Sequence, residues 1–254
     1  MPLLEVQSVS KHFGGVWALK EMNLSVTEGE IVGVIGPNGA GKTSFFNCIT
    51  GLVPVDRGEI FFGAGKIRLN GLPSNRILEA GVARTFQNLR IFKNMTLLEN
   101  VAIGFHTRTR SGFWDVLLGT SRLKIEERRV FAESAELLDF VGLRSQGNEI
   151  AGGLSYGDQK RLEIARALAC GPKLLLLDEP VAGMNAVEKE EIAELIRRIR
   201  RKNIAVLLIE HDMKVVMPLS DRVVVMDEGV KIAEGRPEEI QNNPRVIQAY
   251  LGEA

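Results

Sequence analysis

Eight residues constrain this chain more than any others: Gly36-Pro-Asn-Gly-Ala-Gly41-Lys42-Thr43. They follow a near-continuous apolar run at residues 30–35, which suits a strand buried on both faces. They lead into a helical pattern from Gly41 to Thr50, with Gly51 placed to cap its end. Strand, glycine-rich loop and helix in that order make a cradle for phosphate. Glycines let backbone N–H groups turn inward, and the helix N-terminus adds the positive end of its dipole. The spacing matches G-x-x-x-x-G-K-[ST], which makes Gly36, Pro37, Asn38, Gly39, Ala40, Gly41, Lys42, Thr43 and Ser44 the candidate nucleotide-binding residues. Lys42 supplies a compact positive charge for β- and γ-phosphates, and the Thr43 hydroxyl is placed to ligate Mg²⁺.

A second apolar run, residues 174–177, reads as a central strand, with Asp178-Glu179-Pro180 at its carboxyl end. That edge is where open α/β sheets bind ligands. Asp178 there can hold the magnesium shell through water, and Glu179 can polarise an attacking water as general base. Around these motifs the pattern alternates. Strand signals at residues 4–9 and 18–26, with short pieces near 59–62 and 66–69, describe a mixed sheet feeding a central parallel one. After Pro172, helices at 187–201 and 212–219 alternate with strands at 204–209 and 222–226, as parallel crossovers require. Residues 96–168 read as helical. Phe131, Ala135, Leu138 and Val141 form one apolar stripe of a helix at 122–141, and another helix is expected at 157–170. The expected fold class is α/β: a mixed sheet with central parallel strands and an inserted α-helical subdomain. One domain is expected, with its core at 1–87 and 172–254 and the helical subdomain at about 88–171.

Composition narrows the functional classes. The 254 residues are 45% hydrophobic and 25% charged, ordinary for a folded protein. Lys+Arg and Asp+Glu are both 32, so the chain lacks the basic excess of a protein that grips nucleic-acid backbone. No apolar run approaches the ~20 residues of a membrane span. The opening MPLLEVQSVS lacks a signal-peptide pattern. The expectation is a cytosolic protein that borrows its anchor from a partner if it works at a membrane. Cys48 and Cys170 form no ligand-spaced pair and read as reduced, buried thiols. His12 and His106 read as surface residues.

Between the two motifs lies Leu154-Ser155-Tyr156-Gly157-Asp158-Gln159, which resembles the L-S-G-G-Q signature of ATP-binding cassette (ABC) ATPases. Other elements of that family occur in the same order. Phe13 stands where an aromatic stacks on adenine, with Trp17 a nearby alternative. Gln87, in RTFQN, corresponds to the Q-loop glutamine, Asn185 in Ala182-Gly183-Met184-Asn185 to the D-loop, and His211 to the switch histidine. The resemblance covers essentially the whole chain and implies a P-loop NTPase of ABC type that uses ATP and Mg²⁺. It implies that Glu179, His211, Gln87 and Lys42 carry hydrolysis, and that Thr43, Gln87 and Asp178 serve the metal, Asp178 via water. It also implies that Ser155 and Gly157, in the signature that also holds Asp158, bind the γ-phosphate of ATP held by another copy, two subunits sandwiching two ATP molecules head to tail. Three positions depart from the family pattern. Tyr156 replaces a glycine, Asp158 a glutamine and Asn185 an aspartate. Asp158 is expected to weaken ATP closure unless it points away, with Gln159 as a partial substitute. Asn185 is expected to soften communication between the two sites.

Longer segments, among them KHFGGVWAL, GPNGAGKTSFFNCITG, RTFQNLRIFKNMTLLENV, PVAGMN and EGRPEEIQNNPRVIQAYLGEA, resemble the ATPase subunits of branched-chain amino acid importers, the LivG type. Relatives that serve urea or short amides share most of these. The resemblance implies a second ABC ATPase subunit, identical or a similar paralogue, integral-membrane permease subunits, and indirectly a substrate-binding protein. It implies no nucleic acid, and a peripheral place at the cytoplasmic face of the membrane. The surface after Gln87, with Leu89, Ile91 and Phe92, is expected to receive a permease helix. Residues 108–122, with Phe113, Trp114, Leu117 and Leu118 on one helical face, read either as a docking face or as packing against the helical block. The alternatives are an ABC ATPase of lipopolysaccharide export and a soluble ABC-type assembly ATPase.

Overall fold

The alternating pattern of the first segment folds into a hairpin. Strands β1 (Leu4–Phe13) and β2 (Val16–Val26) pair antiparallel in the computed structural model, which describes residues 1–87, 89–109 and 121–251. β1 also pairs with β4 (Arg57–Phe62), and β4 with the short β5 (Ile67–Arg68). The result is a four-stranded antiparallel sheet in the order β2-β1-β4-β5.

The continuous apolar runs become the centre of a second sheet. Every residue of β3 (Ile31–Ile35), β7 (Leu174–Asp178) and β8 (Ala205–Ile209) is buried. Strands covered on both faces lose the polar alternation of a half-exposed strand, which is why they read as unbroken apolar runs. With β6 (Val82–Arg84), β9 (Arg222–Asp227) and β10 (Val230–Gly235) they form the order β10-β9-β3-β8-β7-β6, parallel throughout except for the β9–β10 pair. Helix α1 (Lys42–Ile49) buries Phe45, Phe46 and Ile49 in the core that also holds Val32 and Val34 of β3 and Leu174 and Leu176 of β7. That apolar face fixes the helix, and so fixes its N-terminus against the end of β3.

The chain divides into two compact units, Met1–Arg84 with Lys173–Ala254, and Thr85–Pro172. Besides the sheets and α1, the first holds α2 (Ser74–Ala80), α6 (Ala186–Arg201), α7 (Met213–Leu219), α8 (Pro237–Gln241) and α9 (Pro244–Leu251). The second is built on α3 (Leu97–Gly104), α4 (Ser121–Phe140) and α5 (Tyr156–Ala169). α3 opens on a reciprocal cap, Thr96 with Glu99, and closes on Gly104, where a Cβ would lie 2.4 Å from the Arg166 carbonyl of α5.

One expected core residue is misplaced. α4 buries Val130, Ser134 and Leu138, while Phe131 is 47% exposed. A helix turns about 100° per residue, so a buried row running through 130, 134 and 138 carries residue 131 off the face. Phe113, Trp114, Leu117 and Leu118 lie outside the described residues. Among the described residues, no helix is long and apolar enough to cross a membrane.

Candidate active site

Parallel pairing gathers the first unit's candidate residues at one sheet edge. Val34 of β3 lies opposite Ile209 of β8, and Ile209 opposite Asp178 of β7. The chain therefore leaves the sheet at Gly36, at Glu179 and at Glu210 side by side, on the carboxyl edge. In the first of these exits Gly36 and Gly41 have φ of 151° and 96°. A Cβ on Gly36 would meet the Met226 carbonyl at 2.0 Å, and one on Gly41 the Ala18 carbonyl at 2.2 Å, so both positions admit only glycine. Between them Pro37, Asn38, Gly39 and Ala40 complete the loop, and Thr43 and Ser44 begin α1, whose first turn holds no acidic residue. An anion arriving there meets N–H groups and no acidic side chain of α1.

Lys42 is 9% exposed, and its ammonium donates to the Gly36 carbonyl at 2.7 Å and the Pro37 carbonyl at 2.8 Å. Burial pulls its pKa below the ordinary lysine value, and the charges of Glu179 and Asp178 oppose that pull. One buried cation thus faces two carboxylates across the phosphate loop.

Asp178 is 3% exposed and is held by Arg84, whose Nη2 donates to Oδ2 at 2.8 Å. Arg84 is itself anchored on α1, donating to Asn47 Oδ1 at 2.7 Å. Nothing in the sequence pattern singled out Arg84; a basic residue ending a short buried strand is the signal that could have found it. Its removal takes the hydrogen-bonded cation from a buried carboxylate. Arg84→Met is therefore expected to cost about 3–5 kcal/mol of folding stability, measurable as a lowered urea midpoint at unchanged slope.

Glu179 adopts φ of 48°, a left-handed backbone for a residue with a Cβ, and donates its N–H to the Ile209 carbonyl at 2.9 Å. Such conformations persist where the surroundings hold them, and they cluster at active sites. His211 Nδ1 stands 3.9 Å from Glu179 Oε1 and 3.7 Å from Glu210 Oε2. Glu210 was not expected. It is fully buried, and its carboxylate accepts the N–H groups of Val181 at 3.0 Å and His211 at 3.0 Å. Burial pushes its pKa up, and those backbone donors pull it back. It ties the segment after Glu179 to the one bearing His211.

Phe13 and Trp17 lie on opposite faces of the β1–β2 hairpin, since Trp17 pairs with His12 and Phe13 with Val16. Phe13 shares its side with Lys11, whose ammonium lies 5.3 Å from the ring centroid and pairs with Asp56 at 2.9 Å. Phe13 is half-exposed at the end of its strand. Asn185 caps α6, its Oδ1 accepting from the N–H groups of Val187 and Glu188.

In the second unit, Ser155 is the N-cap of α5. Its hydroxyl donates to Asp158 Oδ2 at 2.9 Å and accepts the Asp158 N–H at 3.2 Å, so the unexpected acid is turned onto the serine. Gln159 donates to the Leu154 carbonyl at 2.9 Å, which engages the side chain expected to substitute for it. Gly157 is buried in the first turn and Tyr156 is 44% exposed. Gln87 is exposed at a bend.

The chain is similar to known proteins along its whole length. A family model described as ABC transporter matches residues 19–182. A second, described as branched-chain amino acid ATP-binding cassette transporter, matches residues 230–254. The high-affinity branched-chain amino acid transport ATP-binding protein BraF of Pseudomonas aeruginosa is 46% identical over 254 residues, covering 100% of this chain and 99% of that one. The ADP conformation of an ATP-binding cassette of an ABC transporter is 33% identical with a TM-score of 0.86, over 100% of both chains. A dimeric ATP-binding cassette in a post-hydrolysis state with ADP and phosphate is 26% identical with a TM-score of 0.77, over 92% of this chain and 98% of that one. With a family model over more than half its length and such identity end to end, this chain belongs to the ATP-binding cassette family, as an ATPase subunit of an ABC transporter.

Proposed function

We propose that this subunit powers import of branched-chain amino acids, working as one of two cassettes at the cytoplasmic face of a permease pair. The observation that carries hydrolysis is the register that delivers the phosphate loop, Asp178, Glu179 and His211 to one sheet edge. The cargo rests on the relatives' names and on the match across residues 230–254. In this mechanism the loop of residues 36–44, through every backbone N–H but that of Pro37, and the Lys42 ammonium bind the triphosphate, and Phe13 stacks on adenine. Lys42 exchanges its two carbonyl partners for phosphate oxygens. A Thr43 hydroxyl, with the Asp178 carboxylate acting through water, fits Mg²⁺, which would take one or two protein oxygens and waters and phosphates for the rest. When bound, that ion neutralises charge on the phosphates. Glu179 accepts a proton from the attacking water, whose oxygen bonds to the γ-phosphorus as the bond to the bridging oxygen breaks and ADP leaves. His211 donates to the γ-phosphate, and Gln87 orients the water. Ser155 and Gly157 of one copy close on the nucleotide of the other, with Asp158 of the same signature pointing away. That step requires the Ser155 hydroxyl to turn from Asp158 to phosphate.

The test is leucine uptake by vesicles carrying a branched-chain permease pair and binding protein, with and without this chain. ATP-dependent uptake that needs the chain supports the cargo; ATP turnover without uptake of leucine, isoleucine or valine overturns it. The docking surface has its own prediction. Phe92 is 47% exposed, and its backbone is pinned on both sides by buried Asn100, at 2.9 and 3.0 Å. Phe92→Ala is expected to cut coupled uptake by about tenfold or more, the loss of one aromatic anchor of roughly 2 kcal/mol, while ATP turnover of the isolated subunit stays unchanged.

A further inference from the structure

We propose that Lys160 and Glu163, a buried pair on α5, clamp the backbone of the Gln87 loop, so that this loop and the signature helix move as one body. The proposal rests on the roles given above to Gln87 and Ser155. Both side chains are 2% exposed, and Lys160 Nζ lies 3.8 Å from Glu163 Oε2. Neither belongs to the hydrolytic machinery. Lys160 Nζ donates to the carbonyls of Phe86 at 3.2 Å and Gln87 at 3.3 Å. The Phe86 N–H donates back to Glu163 Oε1 at 3.3 Å, and the Arg90 N–H reaches the same carboxylate. One turn further along the same face, the Arg166 guanidinium lies 5.6 Å from the Phe92 ring centroid.

Two apolar side chains of similar volume would pack α5 without the desolvation that burying two charges costs. What ions add is directional bonding to backbone groups of a segment outside any helix or strand. Burial pushes the Glu163 carboxyl up, and Lys160 is the largest influence pulling it down. The bonds fall on both sides of Gln87, and they begin five residues after Ser155, the N-cap of the same helix. A helix is stiff over that span, so displacement of the loop at residues 89–92 is imposed on the signature. Lys160 and Glu163 are positioning residues; they reach nucleotide only through Gln87 and Ser155.

The test uses the full-length chain and Lys160→Met, which keeps length and removes charge. Hydrogen–deuterium exchange of amides at residues 86–92 is expected to quicken by about 10- to 100-fold, the opening ratio that hydrogen bonds to a charged group sustain. Amides of β3, β7 and β8 should be unchanged. Turnover number is expected to fall about tenfold through misplacement of Gln87, with KM for ATP within roughly twofold, and Lys160→Arg should restore both. Should the single variant not fold, Lys160→Met/Glu163→Met removes both charges together and carries the same expectations. Unchanged loop exchange in a folded variant overturns the clamp, and faster exchange at full turnover overturns its positioning role. Gln87→Ala separates the two levels: full turnover there removes Gln87 from hydrolysis, while loop exchange still decides the clamp.

Discussion

Glu179→Gln is expected to lower ATP turnover by about 10²- to 10⁴-fold, the share that a positioned general base supplies. The amide keeps the shape of the carboxylate and an acceptor oxygen, so the left-handed backbone at φ of 48° and the N–H bond to Ile209 remain. What is lost is the only change of consequence: an oxygen that can take a proton from water. In the proposed mechanism binding rests on the loop backbone and Lys42, so nucleotide affinity should hold. One carboxylate fewer beside Lys42 also removes a charge that competes with phosphate for it. The variant should therefore fill with Mg·ATP and stall as a closed pair of subunits. Phosphate release and mass by light scattering, with and without Mg·ATP, read both halves. Unchanged turnover would remove Glu179 from the role of base, and loss of binding would make it a structural residue.

Much of this site was legible because its chemistry is local in sequence. A phosphate loop needs its glycines, lysine and threonine within eight residues, and Asp178 and Glu179 are adjacent, so each motif carries its own spacing. Fully buried parallel strands are equally plain, because β3, β7 and β8 admit no polar alternation. Arg84 was not legible for the opposite reason. Its partner Asp178 lies 94 positions away, and the pairing exists only once β6 lies beside β7. Glu210 and the Lys160–Glu163 pair were hidden likewise, since their partners are backbone groups, which leave no trace in residue type. Phe131 shows a different limit. Helical spacing defines a stripe, but the neighbour decides which residue centres it, and α4 turns Val130, Ser134 and Leu138 inward. The departures in the signature were visible as letters, whereas the contact that turns Asp158 onto Ser155 follows from the N-cap geometry.

Lys42→Ala is expected to weaken Mg·ATP binding by about 30- to several-thousand-fold, corresponding to the ~2–5 kcal/mol lost when one member of a buried charge pair is truncated. The geometry argues for the upper part of that range. At 9% exposure the ammonium is already stripped of most water, so phosphate oxygens replace two carbonyls without a further large desolvation cost. The charges of Asp178 and Glu179 now act on Lys42; without it they would add to the triphosphate's own, and like charges in a low-dielectric site repel strongly. Lys42→Arg should recover little, because a planar fork on a longer reach cannot occupy a pocket bounded by the Gly36 and Pro37 carbonyls. Titration with a fluorescent ATP analogue measures the affinity, and thermal unfolding without nucleotide checks that the loop still folds. Nucleotide held as tightly without that amine would mean that the loop's N–H groups suffice, and Lys42 would then act only on the γ-phosphate during turnover.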